Sequence, residues 1–149
     1  MSVNQAYNFK SINPSVSTAG VLTKRQLSEL SSEGYEAVIN LLPSDSEYAT
    51  EHEPSIVEAQ GLKYVYIPVD FTAPTESDYQ QFTQAMSELS GEKIMLHCAA
   101  NYRVTAFYSV YATQALGWSA EQARELISSI WDVSEFPVWE KFVESRIDV

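Results

Sequence analysis

The sequence has one cysteine, two histidines far apart, and no apolar run long enough to cross a bilayer. A lone cysteine closes no internal disulfide, and with the histidines distant it lacks the neighbours of an ordinary zinc cluster. Basic residues are also scarce: nine Lys and Arg stand against twenty Asp and Glu, a formal net charge of -11. Such a surface repels nucleic-acid phosphates and anionic headgroups at long range, which excludes nucleic acid and membrane as main partners. It does not exclude a small anionic or phosphorylated substrate, because a few local donors can hold one inside an acidic protein. The opening "MSVNQAYNFKSINPS" lacks the basic start and apolar stretch of a secretory signal. A cytoplasmic location is therefore expected, and a periplasmic one would need a leader already removed. Internal repeats, low-complexity segments and linkers are missing too, so residues 1–149 are expected to form one domain. Nothing in the pattern specifies an oligomeric state.

What is present is an alternation of strand-like and helix-like pieces. A first, weakly patterned strand is expected near Ser15 to Ala19. Thr23 with Gln26 reads as a capping box opening a helix that stops at Gly34, with Leu22, Leu27 and Leu30 as its apolar stripe. "YEAVINLL" (Tyr35 to Leu42) reads as a buried strand. Thr50 with Glu53 reads as a second capping box, for a helix closed by Gly61. "LKYVYIPV" (Leu62 to Val69) is the next strand. Thr75 caps a helix to about Ser90, with Tyr79, Phe82, Met86 and Leu89 on one face. "KIMLHC" is a third interior strand. "VTAFYSVYATQALG" then reads as a buried helix, Ser119 with Gln122 caps another, and Ser134 to about Arg146 makes the last, with Pro137 in its first turn. The expected fold is α/β, a mostly parallel sheet of four to five strands flanked by helices.

In open parallel sheets, ligand sites collect at the carboxyl ends of the strands. That edge would carry "PSDSEY" after Leu42, "DFTAPT" after Val69 and "CAANYR" after His97, bringing Asp45, Asp70, Cys98 and Arg103 toward one cleft. A thiol at a strand end, followed by a tight loop into a helix, sits where free backbone N–H groups favour an anion. The same field favours thiolate over thiol at Cys98. Arg103 adds planar paired donors that suit a tetrahedral oxyanion. The competing reading is plain: lone cysteines are usually small buried hydrophobes, and an arginine at a helix start often only faces water. Asp70 could simply cap a turn, and Asp45 could be a solvated loop residue. The segment "STAG" (Ser17 to Gly20) could line the cleft, with Gly20 read as a turn glycine. The acidic runs, with His52 among them, read as a soluble face. The three tryptophans, with Phe136 and Phe142, read as core packing of the terminal helices, and Tyr102 as an aromatic that walls the pocket.

"HCAANYR" resembles the signature of the cysteine-dependent phosphatases: His-Cys, five residues, Arg, then Ser or Thr. "GLKYVYIPVDFTAPTESDYQQF" is similar to the strand, acid loop and helix before that signature in dual-specificity-type members. "STAGVLTKRQLSELSSEGYEAVINL" looks like the opening of a small bacterial branch of uncharacterised function, also found fused to beta-lactamase-fold proteins. The likeness covers most of Ile12 to Leu116. It implies a metal-free and cofactor-free hydrolase of a phosphomonoester, with Cys98 as nucleophile and a cysteinyl-phosphate intermediate. It further implies that Ala99, Ala100, Asn101, Tyr102 and Arg103 form the phosphate-binding loop, that Asp70 is the general acid with Asp45 as backup, and that His97 orients the loop. Three departures stand out. Only four residues separate Cys98 from Arg103. Asn101 must supply any left-handed conformation in place of the usual glycine. Val104 replaces the usual hydroxyl, leaving Thr105 as the next one. A loop of this length also resembles that of rhodanese sulfurtransferases, which makes persulfide chemistry the alternative, and an idle oxyanion-binding domain the third reading.

Overall fold

The computed structural model describes residues 2–147. Its centre is a five-stranded sheet in the order β1-β2-β5-β3-β4, formed by β1 (Lys10–Asn13), β2 (Val16–Ala19), β3 (Ala37–Asn40), β4 (Lys63–Tyr66) and β5 (Ile94–His97). All neighbours are parallel except the antiparallel β1–β2 pair. The three middle strands are buried along their whole length, as expected of parallel strands covered on both faces.

Six α-helices cover the sheet: α1 (Lys24–Ser28), α2 (Glu53–Glu58), α3 (Glu76–Glu88), α4 (Tyr102–Ala115), α5 (Ala120–Ser128) and α6 (Pro137–Ile147). The period-2 alternation of each strand divides the interior into two cores. Val38, Met95 and Ala19 face a smaller core with Leu22, Leu27, Leu30 and Val57, under α1 and α2. Ile39, Ile94, Leu96 and Cys98 face the larger one, which α3 to α6 cover. α4 is buried at Val104 through Val110 and again at Ala112, so it lies between the sheet and α5 and α6. Parity on β5 then puts Cys98 on the α4 side and His97, one residue earlier, on the side of α2.

Several elements differ from expectation, each for a local reason. β1 is too polar to signal a strand; it forms because an edge strand needs only one partner, the Lys10↔Thr18 and Ser11↔Ser17 register. The Thr23 capping box is present, but α1 is only five residues long and a 3₁₀ turn (Ser31–Glu33) carries the chain to left-handed Gly34. The second capping box is absent. Thr50 Oγ1 instead donates to the Leu22 carbonyl at 2.5 Å, and α2 starts behind a left-handed His52. Glu53 is no part of a solvated face: it is buried. The capping boxes at Thr75 and Ser119 are as expected. The last helix begins at Pro137, after a separate 3₁₀ turn at Val133–Glu135.

Candidate active site

Cys98 follows directly on β5, and α4 begins at Tyr102. The residue between them that turns the chain is Asn101, with φ 68° and ψ 13°. This left-handed conformation is the one that the missing glycine would have supplied, and asparagine tolerates it because its short amide bonds locally. Here that amide does more. Its Nδ2 donates to the Asn8 carbonyl and to Thr18 Oγ1, both at 2.9 Å. Asn8 reciprocates, its own Nδ2 donating to the Ala100 carbonyl at 2.9 Å. A clasp therefore joins the amino-terminal segment to the cysteine loop across more than ninety residues of sequence.

The start of the loop is held just as closely. Val21 N–H donates to the Ala99 carbonyl and Gly20 N–H to the Tyr7 carbonyl, at 2.8 and 2.7 Å. A Cβ on Gly20 would lie 2.6 Å from the Ala99 oxygen and 3.0 Å from that of Tyr7. Gly20 is thus required by close approach of two backbones, not by a turn. Beneath the loop, Thr105 Oγ1 donates to the Asn101 carbonyl at 2.8 Å and accepts from Trp131 Nε1 at 3.0 Å. Thr105 supports the loop from below, and its hydroxyl is committed there.

With the carbonyls so engaged, the amides are left over. Among the described residues, none of the N–H groups of Ala99, Ala100, Asn101, Tyr102 or Arg103 donates to a protein acceptor. Arg103 forms no ion pair either, and its Nε is buried without a partner. The guanidinium lies over the Phe71 ring, 5.2 Å from its centroid. A row of unclaimed donors next to a sulfur, completed by an unpaired guanidinium, suits a tetrahedral oxyanion. Cys98 itself is fully buried at the foot of the loop.

Asp70 lies on the segment after β4, exposed. Its Oδ1 accepts from Thr72 Oγ1 at 2.7 Å and Thr72 N–H at 2.9 Å, an Asx turn. These bonds, the side-chain one first, and then the charge of Arg103 hold its carboxyl below the ordinary carboxylate range. The next residue, Phe71, anchors the segment. It packs against Tyr102, Trp131, Phe136 and Trp139, and its carbonyl accepts from Trp139 Nε1 at 2.6 Å. Tyr102 turns down into this layer, stacked on Trp131 with centroids 4.4 Å apart. Asp45 is exposed in the turn after β3 and makes no side-chain hydrogen bond among the described residues. His97 is buried, its Nε2 2.5 Å from Glu53 Oε2 and its Nδ1 3.4 Å from the Cys98 carbonyl.

Asn8, Thr18, Glu53 and Phe71 were not among the expected site residues. Phe71 had a sequence signal in its place beside Asp70, and Thr18 one in its place within "STAG". Asn8 reaches the loop from the turn before β1 and Thr18 from β2, while Glu53 sits behind it on α2, bonded to His97; none is near the loop in sequence. Among the described residues, no group of three or more His, Cys, Asp or Glu could hold a metal ion. No helix of the described chain is long and apolar enough to cross a membrane.

Comparison with known proteins bears on the family and the fold. No protein-family model matches the chain. A crystal structure from Shewanella putrefaciens CN-32, described as a "Putative phosphatase (DUF442)", superposes with a TM-score of 0.85 at 30% identity, covering 95% of this chain and 90% of that one. Pseudomonas aeruginosa TpbA in complex with phosphotyrosine superposes with a TM-score of 0.73, covering 91% and 82%; at 11% identity it speaks for the fold alone. By sequence, a beta-lactamase hydrolase-like protein of Agrobacterium fabrum is 31% identical over 100 residues, 65% of this chain. One from Xylella fastidiosa is 28% identical over 102 residues, 66% of the chain. The chain spans only 23% of the length of these curated relatives. The class is that of the cysteine-dependent, dual-specificity-like phosphatases. Within it, the chain belongs to the DUF442 branch.

Proposed function

We propose that this domain hydrolyses a phosphomonoester through Cys98. The observation that carries the proposal is the row of five unclaimed amides, Ala99 to Arg103, between the cysteine and an unpaired guanidinium. In the first step Cys98 Sγ, as thiolate, attacks phosphorus; an S–P bond forms and the bond to the leaving oxygen breaks. The loop amides and Arg103 hold the three non-bridging oxygens as their charge grows. Asp70, protonated, gives its proton to the leaving oxygen. In the second step water attacks phosphorus, its proton passes to the Asp70 carboxylate, and Cys98 leaves as thiolate. Asp45, without a partner to aim it, is the weaker choice for the acid. No metal or cofactor takes part in this scheme. The substrate is a small phosphorylated group; phosphotyrosine, the ligand of TpbA, is the first to try.

Steady-state hydrolysis of an aryl phosphate tests the proposal. Cys98→Ser should abolish turnover, and Asp70→Asn should reduce kcat by about 10²-fold or more. Wild-type turnover no greater than that of Cys98→Ser sinks it. One observation favours a second reading, sulfur transfer: Val104 stands where a hydroxyl would help the cysteine leave, and Thr105 is committed elsewhere. On that reading Cys98 takes a sulfane sulfur from thiosulfate, releasing sulfite, and passes it to cyanide. A persulfide mass shift on Cys98 under saturating thiosulfate, without aryl phosphatase activity, would decide for it.

A further inference from the structure

Behind the loop lies a buried carboxylate that the proposed reaction does not use. Glu53, on α2, is 4% exposed, and His97 is fully enclosed. Glu53 Oε2 takes the 2.5 Å hydrogen bond of His97 Nε2 and a second, at 3.3 Å, from the Tyr64 hydroxyl. Tyr64 in turn accepts from Asn40 Nδ2 at 3.0 Å, and Asn40 Oδ1 accepts from Leu42 N–H at 2.8 Å. Burial, and next the charge of Glu53, push the Tyr64 hydroxyl up, so that it stays a donor. The chain of bonds thus runs from β4 through α2 to β5, and it is braced by β3, whose Asn40 is in register with both Tyr66 and His97. A carboxylate is costly to bury merely to fill space; a partnered one is retained where its geometry matters.

The other ring nitrogen shows what that geometry serves. Nδ1 faces the Cys98 carbonyl at 3.4 Å; a carbonyl only accepts, so in a hydrogen bond here Nδ1 is the donor. The Cys98 carbonyl and the Ala99 N–H belong to one planar trans peptide and point in opposite directions. Drawing the carbonyl toward His97, on the α2 side, turns the Ala99 N–H to the face where Cys98 lies. We infer that Glu53 is a positioning residue: by fixing the His97 ring, it aims the first amide of the cysteine loop at the bound oxyanion. This rests on the reading of the loop as an oxyanion cradle, and it goes beyond that reading by assigning the loop's orientation to a residue on another element.

The test uses tungstate as a phosphate mimic, titrated calorimetrically, together with the ¹⁵N spectrum of the His97 ring in the full chain. Wild-type protein should show a protonated Nδ1. Glu53→Leu should bind tungstate about tenfold more weakly. Glu53→Gln, which keeps a hydrogen-bonding group of the same length, should recover most of that loss. Val57→Ala, a buried change on the same helix away from His97, should bind as wild type. If Glu53→Leu does not fold, Tyr64→Phe takes its place with a loss of about threefold, the share of one outer hydrogen bond. An unprotonated Nδ1, wild-type affinity in Glu53→Leu (or in Tyr64→Phe where that replaces it), or an equal loss in Val57→Ala overturns the inference. Should wild-type protein fail to bind tungstate, the cradle reading falls by itself. The ring spectrum then decides: an Nδ1 proton protected from solvent in wild type and exposed in the variant supports the role of Glu53, and an unchanged one removes it.

Discussion

Asn101 combines a backbone conformation with a side-chain anchor, and the two can be separated by substitution. Asn101→Gly keeps the left-handed turn and loses the bonds to Asn8 and Thr18; Asn101→Ala loses both. Alanine should therefore be less stable than glycine by about 1 kcal/mol in urea denaturation, the cost of a Cβ in that conformation. Asp70 is the other residue whose setting has a measurable consequence. In the proposed role of general acid Asp70 works while protonated, so a carboxyl held low would confine activity to acidic pH. Thr72→Val removes the largest of the interactions that hold it low, while keeping the residue's shape and backbone bond. The Asp70 pKa then rises toward the ordinary value, and the alkaline limb of the pH–kcat profile moves to higher pH. A limb that stays in place would mean that Asp70 is not the acid.

The decisive feature among elements is the approach of the chain after β2 to the cysteine loop. Gly20→Ala places a methyl 2.6 Å from a carbonyl oxygen that no side-chain rotation can move. The loop must shift, and aryl phosphatase activity should fall by about tenfold or more, as for other small displacements of a catalytic array. The fold should survive, at a cost of about 1–3 kcal/mol. Unchanged kcat/KM in a folded Gly20→Ala protein would show that the loop tolerates displacement. Helices and interior strands were legible in sequence because their periodicity and caps are local: Thr23, Thr75 and Ser119 all cap as their spacing suggested. Thr50 misled because the same residue pattern can bond elsewhere, and its hydroxyl found the Leu22 carbonyl. β1 carried no pattern because an exposed edge strand needs none.

For the whole molecule, the charge of -11 would oppose the approach of an anionic substrate to the proposed site. Added salt screens that repulsion, so kcat/KM for an aryl phosphate should rise a few-fold between about 0.01 and 0.15 M ionic strength before ion competition sets in. A monotonic fall from the lowest salt would instead point to a locally positive approach path. The sequence by itself determined the alternation of strands and helices and the order Cys98, four residues, Arg103. Those properties depend on neighbours along the chain. Only the tertiary structure decided what surrounds and holds the loop: the Asn8–Asn101 clasp, the close pass of Gly20, the Glu53–His97 pair and the Phe71 anchor. Each is a contact between residues far apart in sequence, and its strength comes from burial and direction that exist only once the sheet has been covered on both faces.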